Sequence, residues 1–454
     1  MADPLTHVPG TSGLLGVGHT ITFLRDAGGL LEEQRKRYGN VFRLNILGRQ
    51  NVIFLSPPAT KEIYLDPGRF LSSEQGWQSS IGPLFYGGLM LRDFDDHRLH
   101  RRVMQQAFSR AALDSYIPAI HRVIDRTLDR LRPGPVEMYQ LMKRLNLDIA
   151  AQVFIGANLA EAEAVNTAFV AMMRASVTPV RLDLPGLAYH RGLAGRDRLK
   201  LLFTELVTDR RSRPVTADLL SRLSHASTES GALLPVADVA AHMIFILLAA
   251  HDTTTATLSV LVWQLALHPE WQAAVTHEVG ALGGGEVTMA NHGSLKVLGM
   301  TLNEALRLSP PVPFSPRVAV QATTIDGVEI PAGTAVSTAS LALHRHPDWW
   351  TEPDRFDPER FNAARSEHRQ HSHLFVPFGG GAHLCIGNHL AEIVTKAVVA
   401  RLLVRFQLTA DPTRPVEIQA VPIPRPKRGL EMTLVVRSDG ESSHPAAEQA
   451  DTTK

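Results

Sequence analysis

Cysteine is almost absent from this 454-residue chain, with one at Cys385. A lone cysteine excludes an internal disulfide and any metal site built from several cysteines, and it suits a reducing compartment. An excess of one charge is missing too. Lys and Arg total 46 against 45 Asp and Glu, a net charge of +1, so there is no global basic field to bind nucleic acid. Long hydrophobic runs are lacking. The longest, Met243 to Ala250, falls far short of the roughly 20 residues a membrane span needs, and His251, Asp252 and three threonines follow it. Met1 to Gly13 has no basic start followed by an apolar core, so no secretory signal is expected. The interior shows no Gly/Ser- or Pro-rich linker, no internal repeat and no charge block. Hydrophobic residues make up 44%, which excludes a disordered chain. Residues 1–437 are therefore expected to form one soluble, cytoplasmic domain, and the polar stretch 438–454 a disordered tail.

What is present is helical periodicity. The spacing of apolar residues predicts helices over 27–38, 97–109, 111–131, 136–156, 160–177, 192–212, 236–267, 270–282 and 295–308. Alternation predicts strands over 41–46 and 50–55 around a turn at Gly48. Further strands are expected over 318–323, 335–340, 406–410 and 430–436, with a turn at Asp326-Gly327. The fold class is mainly α with small β-sheets. The glycine clusters at 13–18 and 283–285 neither follow a strand nor open a helix, so they read as loops and not phosphate cradles. The histidines within 368–373 read as a solvated loop.

Cys385 lies in the run Phe378-Gly379-Gly380-Gly381-Ala382-His383-Leu384-Cys385-Ile386-Gly387, ahead of a helical pattern from Asn388 to Phe406. Glycines let the backbone curl around the sulfur, and a helix N-terminus favours a thiolate, so a lowered thiol pKa is expected. A thiolate held this way suits haem iron. The run resembles the haem-binding loop of the cytochrome P-450 family at Phe378, Gly381, His383, Cys385 and Gly387. The resemblance extends from about Pro9 to Val436 and implies that family's fold. In it, haem b lies between a long distal helix and the helix after the cysteine loop, with Cys385 as the iron's axial ligand and Phe378, His383 and Gly387 around the cofactor.

Two further elements resemble the family. Glu304 and Arg307 share one helix face, and Phe356-Asp357-Pro358-Glu359-Arg360-Phe361 follows. By resemblance, Glu304, Arg307 and Arg360 form a buried structural network behind the haem loop, and the Pro-Glu-Arg-Phe element is like that of the sterol, retinoid and fatty-acid hydroxylase branch. His97, Arg101, Arg317 and His383 are, again by resemblance, partners for the haem propionates. Arg98, His100 and Arg102 read as a solvated helix face. In the helix over 236–267, Asp252 and Thr253–Thr255 break the apolar pattern, as functional positions do. They resemble the family's distal acid–alcohol pair, which implies that Thr253 stabilises bound dioxygen and Asp252 relays protons to it. Ala250 stands where the family most often has Gly, placing a methyl group beside the oxygen groove.

The resemblance implies a monooxygenase that inserts one atom of O2 into an apolar organic substrate of steroid, terpenoid or fatty-acyl type. No flavin or nicotinamide domain is fused, so a separate donor, a ferredoxin with its reductase, is expected. The segments 77–91 and 172–189 and the residues Ile244, Phe245, Leu248 and Ala249 are expected to line the substrate pocket, with Glu74, Arg174 and Arg181 as the charged groups near it. The alternatives are a peroxide-driven haem-thiolate enzyme and a non-catalytic haem-thiolate gas sensor or binding protein. Asp252 and Thr253 argue against the first, and the lack of an output domain against the second.

Overall fold

The computed structural model describes residues 4–14, 17–46, 48–156, 159–176, 178, 181–283, 285–414 and 416–437. The tail expectation for 438–454, the pocket position Val177 and parts of both glycine clusters lie outside these residues. Helix accounts for 54% of the chain, in accord with a mainly α reading.

The helix Val236–Leu267 is the axis of the molecule. It ends where Pro269 forbids helical geometry to His268, which sits at φ −124°, ψ 78°. Among the described residues this one helix is long and apolar enough to cross a bilayer, although no single uninterrupted apolar run gives it that character. Its most apolar stretch is 78% buried inside the protein, because other helices pack around it, four of them most extensively. They supply Leu145 and Ile149, Leu199 and Phe203, Leu298 and Leu302, and Val394 and Val398 to one continuous core. A less buried stripe runs down the long helix through Ala241, Phe245, Ala249 and Thr253, at the four-residue spacing of one face. The turn Gly87-Gly88 lies on the start of that stripe, so close that a Cβ on Gly88 would fall 2.5 Å from the Cβ of Phe245.

The larger sheet joins the expected hairpin, Val41–Ile46 with Arg49–Phe54, to Ala335–Thr338, Ser315–Ala319 and Leu71–Ser72. A second sheet pairs Gly134–Glu137 with Glu431–Val436 and Phe406–Thr409. Two further two-stranded pieces occur, one of them closed by the Asp326-Gly327 turn, with φ of 49° and 76°. The expected strand over 318–323 is in fact the end of one strand and the start of another, Thr323–Ile325. Strands of two to four residues are too short to alternate visibly. The helix Pro57–Leu65 is a further unexpected element. Its signal is local, for the Ser56 side chain accepts the Ala59 N–H and Pro57 opens the first turn.

Candidate active site

The cysteine loop folds on itself. Cys385 N–H donates to Phe378 O at 2.9 Å, Leu384 N–H to Gly381 O at 3.2 Å, and Gly379 N–H to Val376 O at 3.0 Å. Gly381, at φ +61°, tolerates no side chain: a Cβ there would lie 1.8 Å from the Tyr64 carbonyl oxygen of the helix beneath. Gly387 then serves as N-cap of the helix Asn388–Arg405. The Cys385 surface is exposed, yet the residue lies deep enough that burial raises its thiol pKa. The expected lowering of the pKa is therefore reversed in the protein alone. Burial outweighs the Gly387 N–H and the Arg101 charge, which both favour the thiolate.

Beside the loop stands a cluster rich in cations. The His97 and His383 rings stack with centroids 4.0 Å apart. Burial, then Arg101 and Arg317, pull the His97 pKa down to about 4. Burial, followed by Arg317, His97 and Arg101, takes His383 to about 2. Arg317 is buried and donates to the carbonyl of its neighbour Pro316 at 2.8 Å. Among the described residues, the buried Nε2 of His97 meets no hydrogen-bond partner. The structure thus brings His97, Arg101, Arg317 and His383 together. His100, expected on a solvated face, is instead buried. Arg92 Nη1 lies 2.8 Å from His100 Nε2, and His100 Nδ1 2.8 Å from His242 Nε2 of the long helix. Arginine only donates, so His100 accepts at Nε2 and donates from Nδ1. The helix Phe94–Gln105 thus ties the cysteine loop, through His97, to the long helix, through His100. Arg98 and Arg102 do face solvent, paired with Asp95 and Glu229.

Glu304, Arg307 and Arg360 are fully buried and joined as expected. Arg307 grips Glu304 with two bonds, Nε to Oε2 at 2.7 Å and Nη2 to Oε1 at 2.8 Å. Arg360 Nε reaches Glu304 Oε1 at 3.3 Å, and the Asp357 N–H donates to the same oxygen at 2.8 Å. The remaining guanidinium donors end on the carbonyls of His344, Pro353, Thr351 and Glu352 and on Glu367. Two members were not foreseen. Glu367 is the second carboxylate, and His344 carries the network to the loop. Arg307 donates to His344 O, His344 Nε2 accepts the Val376 N–H at 3.0 Å, and Val376 O accepts Gly379 N–H. Burial and then Arg307 push His344 down to about 3, which keeps its ring neutral and Nε2 free to accept.

On the long helix, Thr253 Oγ1 donates back to Ala249 O at 2.6 Å. Asp252 Oδ1 lies 2.8 Å from His251 Nδ1. Burial acts to raise the Asp252 pKa, but the His251 bond and the charges of His251, Lys143 and Arg425 hold the carboxyl below its ordinary value. Asn146, unmarked in the sequence, reaches across from the helix Met138–Ala150 and donates Nδ2 to Ala250 O at 3.1 Å and His251 O at 2.7 Å. Of the residues expected to line a pocket, Tyr86, Leu182 and Leu184 turn outward, and Leu84, Phe85, Leu89 and Met172 are packed in the core. Arg174 is exposed. Arg181 is spent on the carbonyls of Ser79, Ser80 and Ser176. Among the described residues no group of three or more His, Cys, Asp or Glu side chains could hold a metal ion. His368, His371 and His373 are half-buried and not solvated, with His368 packed on Phe361.

The family model for cytochrome P450 matches residues 9–432. The chain belongs to the cytochrome P450 family. A putative cytochrome P450 136 from Mycobacterium tuberculosis is 38% identical over 411 residues, 89% of this chain and 83% of that one. Cytochrome P450 26B1 of Danio rerio is 29% identical, with 93% and 85% covered. A retinoic acid-bound cyanobacterial CYP120A1 structure superposes with a TM-score of 0.85 at 26% identity, over 95% of this chain and 99% of that one. This cytochrome P450 is accordingly a monooxygenase that works with O2, a redox partner and haem b. The site suits that cofactor on its own chemistry. An exposed thiol stands beside buried His97 and Arg317 and half-buried His383 and Arg101, with a ring nitrogen of His97 unpartnered among the described residues, as a group bearing two carboxylates requires.

Proposed function

We propose that this cytochrome P450 hydroxylates an apolar small molecule of steroid, terpenoid or fatty-acyl type in the cytoplasm, with electrons from a separate ferredoxin and its reductase. The observation that carries the reading is the less buried stripe Ala241, Phe245, Ala249 and Thr253, an apolar wall that ends in a hydroxyl beside a carboxylate. Apolar walls with few polar groups select apolar ligands. The arginines nearest the expected pocket, Arg174 and Arg181, point outward or bind carbonyls, which favours a neutral ligand over an acid. The retinoic acid bound to the cyanobacterial relative shares the apolar, terpenoid build, although it carries a carboxyl group that these arginines do not favour.

Haem supplies the oxygen chemistry when bound. Cys385 would ligate its iron, Phe378 and Gly387 would help to hold it, and His97, Arg101, Arg317 and His383 would bind its propionates. Glu304, Arg307 and Arg360, through His344, keep the ligand loop in place. Thr253 has its own proton on Ala249 O, so Oγ1 presents lone pairs that accept a proton donor. Asp252 delivers protons toward that hydroxyl.

Two experiments test the reading. Cys385→Ala should abolish the thiolate-type spectrum of the reduced carbon monoxide complex, and its retention would refute the ligand assignment. Steroids, terpenes and fatty acids should displace haem-bound water in a spectral titration. Tight shifts with small polar compounds, and none with the three apolar classes, would overturn the substrate class.

A further inference from the structure

His251 is a buried polar group that the proposed chemistry leaves unused. Successive helical residues point about 100° apart, so neighbouring side chains do not ordinarily meet. Here they do, with His251 Nδ1 at 2.8 Å from Asp252 Oδ1. The imidazole has little freedom. It is 2% exposed and lies edge-on to Phe169 at 5.5 Å. Its carbonyl is held by Asn146 Nδ2 and by Thr255 Oγ1, each at 2.7 Å. Among the described residues its Nε2 has no partner, which leaves the Asp252 bond as the polar anchor of the ring. A carboxylate oxygen only accepts, so Nδ1–H donates to Oδ1 here, and this contact fixes which atoms do what.

We propose that His251 is the positioning residue of the proton relay. Its Nδ1–H occupies Asp252 Oδ1 and turns the carboxylate so that Oδ2 is the oxygen that carries the moving proton. The inference rests on the reading of Asp252 as proton donor and adds the residue that aims it. The other charged or titratable groups facing Asp252 are Lys143 and Tyr139 from the helix Met138–Ala150 and Arg425 from the short strand pair. Without His251 the carboxylate swings toward Lys143 and Arg425, and Oδ2 loses its aim. An orienting carboxylate–imidazole pair of this kind, with the roles reversed, works in hydrolase triads.

The test uses the haem-loaded protein. In its reduced, carbon monoxide-bound and diamagnetic form, nitrogen-15 histidine spectra should show His251 protonated at Nδ1, with a downfield proton that Asp252→Asn removes. His251→Leu should keep substrate binding while product per electron falls about threefold or more and peroxide rises; His251→Asn, which restores an N–H donor, should recover over half the loss. A His251 proton on Nε2, or unchanged coupling in His251→Leu while Asp252→Asn uncouples, overturns the positioning role alone. Unchanged coupling in Asp252→Asn overturns the relay reading, and the positioning role with it. Should His251→Leu fail to fold, the wild-type and Asp252→Asn spectra and the His251→Asn coupling decide the matter.

Discussion

Around Glu304, buried guanidiniums end on carboxylate and carbonyl oxygens. Around buried His97 and Arg317, half-buried His383 and Arg101 crowd in, and a ring nitrogen of His97 meets nothing among the described residues. Both clusters adjoin the same loop and both desolvate guanidiniums, yet the first is closed and the second open. Burying a charge is costly unless acceptors satisfy it, so a closed cluster is complete as folded and an open one is completed by a ligand. The two should therefore fail in different ways when cut.

The sharpest break is in the closed cluster. Glu304→Ala strands two buried guanidiniums and should cost about 3–5 kcal/mol, read by chemical denaturation as lost folding and not as lowered turnover alone. A Glu304→Ala protein with normal stability and haem content would erase the distinction. Acid is a second way in. The folded pKa of His344, about 3, lies below the ordinary 6.5, so the unfolded chain takes up the proton first. Its contribution is whole above pH 6.5 and declines as pH falls toward 3, by roughly 4 kcal/mol across the window. Denaturation midpoints against pH should show that slope in the wild type, less by one proton in His344→Gln. The open cluster should respond otherwise. Arg101→Leu removes a cation held against burial, so the fold should stand while haem is lost faster, equivalent to about 1–3 kcal/mol of cofactor affinity in a haem-transfer assay. The smallest effect belongs to the solvated side of the same helix. Arg102→Ala breaks a surface pair with Glu229 and should cost less than about 1 kcal/mol.

The parts legible in the sequence are those that depend on near neighbours. Helices such as Ala27–Tyr38 and Val236–Leu267 announce themselves by apolar spacing over many turns, and Cys385 by glycines within a few residues. Of the charge clusters, Glu304, Arg307 and Arg360 and the four residues around His97 were implied by the family resemblance, while Glu367 and His344 were not. Partners chosen by the tertiary fold stayed hidden. Asn146 meets His251 across 105 positions, and His100 meets His242 across 142. An asparagine or histidine in a helix carries no local mark of such a bond, which is why His100 reads as solvated. The thiol pKa of Cys385 was misjudged for a related reason: helix-end electrostatics can be read from order along the chain, but the depth of burial cannot.

Arg181 has a different consequence. Its guanidinium fastens the segment before the helix Ala188–Arg211 to residues 79 and 80, and every acceptor it meets among the described residues is a main-chain oxygen, of Ser79, Ser80 or Ser176. A tie to carbonyls is indifferent to the side chains that carry them. Positions 79 and 80 are thus free to drift, or to be redesigned for another ligand, while the fastening persists, and the same roof can be inherited by enzymes with diverging tastes.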